Sequence, residues 1–522
     1  MSEIKTSSQP TLEEIQNFKG QFPKQLWYLF FSEMWERFCF YGMRGMLVFF
    51  MTYELFMKED AAQLQYGATQ AFVYAFTFIG GLFADKILGF RKSLFWGGLL
   101  MIVGSAILAY DPHQFFFLGI SFTVVGTGFF KPNISTMVGQ LYKEGDARRD
   151  AGFSLFYAGI NIGALLGGYA CIAIGKDYSW NLAFGLAGIV MTLSLITFLF
   201  TQKSLGPIGL APSAGALIKP AISDSIGQTA PAVPAEITQK AQPGNWATYA
   251  VYIGSLLVIP LIIVMVSNPR YTDWFMYTIG PATLVYLFYE MSKHSAAERK
   301  KLFAALFFIF FSIVFWAFFE QSGGSLSLFA AENLSSQLLG IFTLDPNGVN
   351  NAANSLFVII LAPVIGLVWV AMAKKRTEPN TVVKFGIAFL FLGAAFFIFY
   401  ATRFFANEQG VTSLDVFTSA YLVITLGELC LSPIGLSIMT KLAPARLQGM
   451  MMGMWFLASA YGQYVAGILG AGMILADESA SRSEKLISYT SGYYQLAIYA
   501  VVAGIIMIIA SPLIKRLMGG VK

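Results

Sequence analysis

The chain has 522 residues, 56% of them hydrophobic and only 12% charged, with a mean hydropathy of +0.62. Soluble domains run near 25% charged residues, so this composition excludes an ordinary soluble protein and points to an all-α polytopic membrane protein. The formal charge of +5 does not argue for nucleic acid, because the Lys and Arg sit in short connections between apolar spans.

Residues 1–24 are polar and lack the basic-then-apolar pattern of a cleaved signal peptide, so the first span is expected to be retained. Stretches of about 20 apolar residues read as membrane helices. They fall near 25–55, 66–86, 91–110, 115–141, 150–174, 181–201, 247–267, 272–292, 300–331, 351–373, 381–402, 414–440, 446–473 and 488–515, fourteen in all. With the N-terminus in the cytoplasm, alternate connections hold 25 Lys and Arg inside and 6 outside, which obeys the positive-inside rule and puts both termini in the cytoplasm. Of the 34 cations, Arg37, Arg44 and Lys131 are then left within the membrane.

Within the first span lies Glu33-Met-Trp-Glu-Arg-Phe-Cys-Phe-Tyr-Gly-Met-Arg44. At about 100° per residue, Glu33, Glu36, Arg37, Tyr41 and Arg44 fall within an arc of roughly 140°. Ionisable groups at membrane depth are costly and default to a functional reading, so this face looks into protein or water. After the second span, Gly80-Gly-Leu-Phe-Ala-Asp-Lys-Ile-Leu-Gly-Phe-Arg-Lys92 resembles the major facilitator loop signature between helices 2 and 3. Its small residues permit close helix approach, Asp85 can cap or pair at the helix end, and the basic pair Arg91-Lys92 is expected to face anionic lipid.

The fourth span carries Lys131 before Pro132, where local distortion is expected. The fifth carries Tyr157 and Asn161 one turn apart; an interhelical hydrogen bond is the plain alternative to a binding role for Asn161. Residues 202–245, rich in Pro, Ala, Gly and Ser, read as a flexible cytoplasmic linker between six helices and eight. If the helices of 246–292 are an inserted hairpin, the remainder is two six-helix bundles, 1–201 and 293–522, with a substrate site between them. The second half supplies the opposite charge, Glu320 and Glu428, with Ser432 one turn after Glu428 and Pro433 loosening the backbone. Asn351 is placed at the start of its helix and Trp455 early in the next but two. For Tyr74, Trp316, Phe319 and Trp455, packing or an interfacial belt is the plain reading. Cys39, Cys171 and Cys430 each lie in an apolar span and read as buried thiols, and no metal-ligand cluster is visible.

The first-span stretch resembles the E-x-x-E-R-F-x-x-Y-G motif of the proton-dependent oligopeptide transporter family (POT/PTR) of the major facilitator superfamily. Phe156-Tyr-Ala-Gly-Ile-Asn-Ile-Gly163 and Gly427-Glu-Leu-Cys-Leu-Ser-Pro433 are similar to two further signatures of that family. The resemblance spans both halves, and the extra helix pair is similar to that of its bacterial members.

The resemblance implies a major facilitator fold and proton-coupled symport of di- and tripeptides through a bacterial inner membrane, with protons as coupling ion and no cofactor. It implies proton coupling by Glu33, Glu36, Arg37, Lys131 and Glu320, the last also as an outer gate with Arg44. Arg37, Arg44 and Lys131 would hold the peptide carboxylate, and Glu428 with Asn161 and Asn351 the amino terminus and backbone. Tyr41, Tyr74, Tyr157, Trp316, Phe319, Ser432 and Trp455 would line the pocket. Phe40 stands where many members have tyrosine, which removes one hydroxyl. Membrane lipid and self-association are further expectations. A relative moving another solute such as nitrate is disfavoured by the intact motif and Glu428, and a membrane enzyme by the lack of a nucleophile with its base.

Overall fold

The computed structural model describes residues 9–143, 145–211, 245–431, 435–444, 447–475, 477 and 479–520, with backbone alone at 245, 435–437 and 440. A short helix α1 (Leu12–Gln16), started by a Thr11–Glu14 capping box, precedes the first long helix. The first half is α2 (Lys24–Tyr53), α3 (Glu59–Phe83), α4 (Phe90–Tyr110), α5 (Phe116–Gln140), α6 (Arg148–Asp177) and α7 (Trp180–Thr201). Between the halves in sequence come α8 (Asn245–Leu257), α9 (Ile259–Ser267) and α10 (Pro269–Ser292). The second half is α11 (Ala296–Phe319), α12 (Ser325–Asn333), α13 (Pro346–Lys374), α14 (Thr381–Ala401), α15 (Leu414–Leu431), α16 (Gly435–Leu442), α17 (Gln448–Ala471) and α18 (Arg482–Leu517). A two-residue hairpin, β1 (Gln337–Leu338) and β2 (Phe342–Thr343), sits before α13.

Among the described residues, ten helical stretches are long and apolar enough to cross a membrane. The α2 helix is not among them because Glu33, Glu36, Arg37 and Arg44 interrupt its apolar run. In the first half α2 packs on α6 and α7, and α5 on α3 and α4; in the second, α14 packs on α15 and α18, and α11 on α17. The halves meet along two seams, α3 on α17 and α6 on α13. The first seam depends on glycine: a Cβ at Gly67 would lie 2.8 Å from Gly467 Cα, so only hydrogen fits.

Four expectations change. The stretch 300–331 is not one helix: α11 ends at Phe319, Glu320–Gly323 forms a 3₁₀ turn, and α12 follows. The Gly323-Gly324 doublet closes the 3₁₀ turn, and Gln321 donates to Ala317 O at 3.2 Å at the end of α11 and to Ala466 O of α17 at 2.9 Å. The α5 helix is continuous through Pro132, with Asn133 Nδ2 donating to Phe129 O at 2.6 Å. Asn351 does not start its helix; Asp345 caps α13 and Asn351 lies in its second turn.

Arg91 does not face lipid. It is buried and donates from Nε to Ile208 O and from a terminal nitrogen to Gly206 O, both at 2.6 Å. The carbonyls of a tight turn have no helical partner, and a guanidinium fork satisfies two at once. Residues 202–211 are therefore part of the packed structure, with Leu205 and Ile208 buried; the rest of the linker, 212–244, lies outside the described residues. Lys92 and Asp85 are exposed. The three cysteines are buried and free.

Candidate functional site

Helix α2 places its charged face toward α5 and α6. Arg37 pairs with Glu33 one turn earlier, at 2.7 Å from Nε and 2.6 Å from a terminal nitrogen to the same Oε1. Glu36 Oε2 lies 3.3 Å from Arg37 Nε, yet neither Glu36 oxygen accepts a hydrogen bond, and the residue is fully buried. A buried carboxylate in that state is costly as an anion.

Lys131, on the neighbouring α5, has its Nζ 4.5 Å from the Tyr74 ring centre and 5.6 Å from that of Phe40. Both are cation–π contacts. No carboxylate among the described residues comes within ion-pair distance of Lys131, although Glu33, Glu36 and Glu320 are near enough to act on it electrostatically. Phe40 thus presents a ring face to the lysine where a tyrosine would also offer a hydroxyl.

Farther along α2, Arg44 crosses to the second half and forms an ion pair with Glu320. It also donates to the Tyr66 hydroxyl at 2.8 Å and to Ser322 Oγ at 3.3 Å, with its guanidinium 5.7 Å from the Tyr41 ring centre. Asn350 continues the network, donating to Ser322 O at 2.8 Å and accepting from the Tyr421 hydroxyl at 2.6 Å. The 3₁₀ turn after α11 makes this possible, because it carries Glu320 and Ser322 together.

Glu428 on α15 is held by Asn354 of α13, whose Nδ2 donates to Oε2 at 2.9 Å and to Thr425 Oγ1 at 3.1 Å. The Tyr157 hydroxyl of α6 lies beside the same carboxylate, so the contact spans the two halves. Asn161 donates to Tyr157 O at 2.9 Å. Asn351 is engaged elsewhere: it donates to Asn347 O at 2.9 Å and Asn347 Oδ1 at 3.1 Å, and packs against Gly45 of α2 and Gly168 of α6. Trp316 and Phe319 stack edge to face at 5.3 Å, and Trp316 sits on Gly462 of α17. Trp455 is buried in the core, and its backbone carbonyl accepts from Ser459. Ser432 lies outside the described residues.

The anticipated residues thus gather into three clusters: Glu33–Glu36–Arg37 with Lys131 and Tyr74; Arg44–Glu320 with Tyr41; and Glu428 with Tyr157 and Asn161. Asn354, Tyr66, Ser322, Asn350 and Tyr421 were missed. At the end of the bundle where α2 finishes, further ties join the halves. Lys485 Nζ lies 2.6 Å from Glu59 and 2.9 Å from Glu332, Tyr53 donates to Glu332 at 2.7 Å, and Lys176 meets Asp345 at 2.7 Å.

The POT family model matches residues 91–484. The chain is 34% identical to the peptide transporter YePEPT of Yersinia enterocolitica over 95% of each chain. Its fold is similar to a crystal structure of a peptide transporter POT in complex with sulfate, with a TM-score of 0.78, 32% identity and coverage of 98% of this chain and 100% of that one. It is also similar to tetrameric PepTSo2, with a TM-score of 0.78, 26% identity and coverage of 94% and 99%.

Proposed function

The chain belongs to the POT family, a family of transporters rather than enzymes, and on that premise we propose that it imports di- and tripeptides by proton-coupled symport. The supporting observation is the arrangement of charge: Lys131 stands without an ion pair beside a buried Glu36 that accepts no hydrogen bond, while Glu428 lies beside Tyr157 from the other half. A peptide is a zwitterion whose ends do not vary, and an extended di- or tripeptide spans roughly 7–11 Å. Lys131, with Arg37 beside it, takes the carboxylate end. Glu428, Asn354 and Asn161 take the amino end and backbone. Tyr41, Tyr74, Tyr157, Trp316 and Phe319 supply walls that accept diverse side chains.

Three cations face four carboxylates; Arg37 pairs closely with Glu33 and more loosely with Glu36, and Arg44 pairs with Glu320. Glu36 is the proton site in this reading. Its protonation removes the negative charge that attracts Lys131, freeing the ammonium for the peptide carboxylate. Protonation of Glu320 releases Arg44 and loosens the tie between the halves. Proton and peptide then bias one alternating-access equilibrium, and the coupling is reciprocal. The Lys and Arg asymmetry, 25 against 6, supports a reading in which both termini are in the cytoplasm of a bacterial inner membrane and the Lys485 and Lys176 ties close the outer side. Self-association belongs to the same reading, prompted by the tetrameric relative. The test is dialanine uptake into proteoliposomes with an imposed proton gradient. Wild type accumulates peptide uphill and the Glu33→Gln and Glu36→Gln variants do not; uphill uptake by both variants rejects the mechanism.

A further inference from the structure

A groove of about 400 Å³ lies between α8 of the inserted hairpin and the α3–α5 face of the first half. That volume is within the range of sites that hold a small ligand. Its walls are Phe76, Phe83 and Phe129 on one side and Trp246, Val251 and Gly254 on the other, with Ser255 the one hydroxyl among its lining residues. Ser255 is already satisfied: Trp96 Nε1 donates to it at 2.9 Å, and Trp96 packs on Tyr252 at 4.6 Å between ring centres. Apart from the Trp246 indole at the rim, the groove therefore offers only apolar side chains. Phe83 and Trp246 are left 36% and 76% exposed at its rim.

The end of the groove is different. Directly after Phe83 the helix widens into a π-turn, Ala84–Leu88, which carries exposed Lys86 next to the lining residue Ile87. Lys92, also exposed, is one turn before Trp96 on α4. Asp85 shares the turn, and Arg91 is committed to the 206 and 208 carbonyls. Neither lysine has an ion-pair partner among the described residues. An apolar slot with ammonium groups at the cytoplasmic end fits an acyl chain below an anionic headgroup, and the inner leaflet carries such lipids.

We propose that this groove is a binding site for an anionic phospholipid of the cytoplasmic leaflet, with one acyl chain between α8 and α3–α5 and the phosphate held by Lys86 and Lys92. The hairpin then has a role: it forms one wall of a lipid site on the half that carries the Glu33–Arg37 cluster. The orientation is that of the topology proposed above; the test itself reads lipid binding and not transport.

The full chain is reconstituted in phosphatidylcholine vesicles containing phosphatidylglycerol with dibrominated acyl chains, and Trp246 emission is taken as the difference from a Trp246→Phe variant. Dibrominated phosphatidylglycerol quenches this signal at a lower mole fraction than dibrominated phosphatidylcholine. Lys86→Ala and Lys92→Ala each shift the midpoint about fivefold. Gly254→Phe removes the preference for phosphatidylglycerol without unfolding the chain, because a Cβ at Gly254 meets nothing within 4 Å. Equal quenching by the two lipids, or a preference unchanged by Gly254→Phe, overturns the proposal. Competition by inorganic phosphate alone also overturns it, since the acyl chain would then be dispensable.

Discussion

The Asn354 amide donates to Glu428 Oε2 at 2.9 Å, while Asn351, one turn earlier on α13, is bound to its own helix through Asn347. A hydrogen bond to a charged group contributes about 1.5–3 kcal/mol, so Asn354→Ala is expected to weaken dialanine binding about tenfold. The loss is smaller for N-acetyl-dialanine, which has no amino charge for Glu428 to hold. Asn351→Ala leaves both affinities close to wild type. Titration calorimetry on the purified variants separates the two asparagines, and equal effects at both positions reject the assignment.

Glu33 and Glu36 are three residues apart in the motif but differ in what they hold. Glu33 carries the Arg37 pair at 2.6 Å, and removing one partner of a buried pair costs about 3 kcal/mol or more. Glu36 accepts no hydrogen bond and meets Arg37 only at 3.3 Å, a looser contact than the Glu33 pair, so neutralising it forfeits less. Glu33→Gln is expected to lower the unfolding midpoint clearly, whereas Glu36→Gln leaves it unchanged or raises it. Scanning fluorimetry in detergent reads the difference, and a larger loss for Glu36→Gln would invert the roles.

The ionisable members of the site were legible because charge inside an apolar span is costly and conspicuous: Glu33, Glu36, Arg37, Arg44, Lys131, Glu320 and Glu428 all stand out on that ground. Their neutral partners were not. Asn351 and Asn354 differ by about 60° around a helix, so spacing does not choose between them. Tyr66, Ser322 and Asn350 are types common throughout the chain, and only the turn at Glu320–Gly323 brings them to Arg44. That turn had a signal, the Gly323-Gly324 doublet, within a stretch apolar enough to read as one helix. Arg91 shows the reverse case. A basic pair beside a span reads as lipid-facing, and the carbonyls it satisfies are 115 and 117 residues away in sequence.

Arg91→Ala tests that clamp. It strips two carbonyls of their donor in a buried setting, at about 1–3 kcal/mol each. The variant is expected to unfold several degrees earlier and to be cut by trypsin at Lys203 sooner than wild type. Arg91→Lys restores one bond at most and falls between them. Wild-type proteolysis rates in Arg91→Ala would mean that the turn is held by Leu205 and Ile208 packing alone.

The ties at the α2 end have a conformational readout. Lys485 bridges Glu59 of the first half and Glu332 of the second, and a partly exposed pair contributes up to about 1 kcal/mol. Spin labels at Tyr178 and Leu339, both exposed on that end, report the separation of the halves. Lys485→Ala is expected to raise the population of long distances up to about fivefold, and Lys485→Ala with Lys176→Ala more. An unchanged distribution in the double variant would show that these pairs do not bias the opening.

The Gly67–Gly467 crossing makes a harder demand on the same equilibrium. A Cβ at Gly67 would meet the backbone of α17, 2.8 Å from Gly467 Cα and 3.0 Å from Gln463 O, so neither atom can yield as a flexible side chain would. Gly67→Leu must therefore displace α17 from α3, and this seam lies between the halves rather than within one. Each half keeps its own core, so the variant is expected to fold, to shift the Tyr178–Leu339 distances wholly toward the open population, and to lose uptake. Adding Gly467→Leu makes it no worse, because the contact is already gone. Short distances retained in Gly67→Leu would mean that the halves close without this crossing, and the α6–α13 seam alone would then carry the closure.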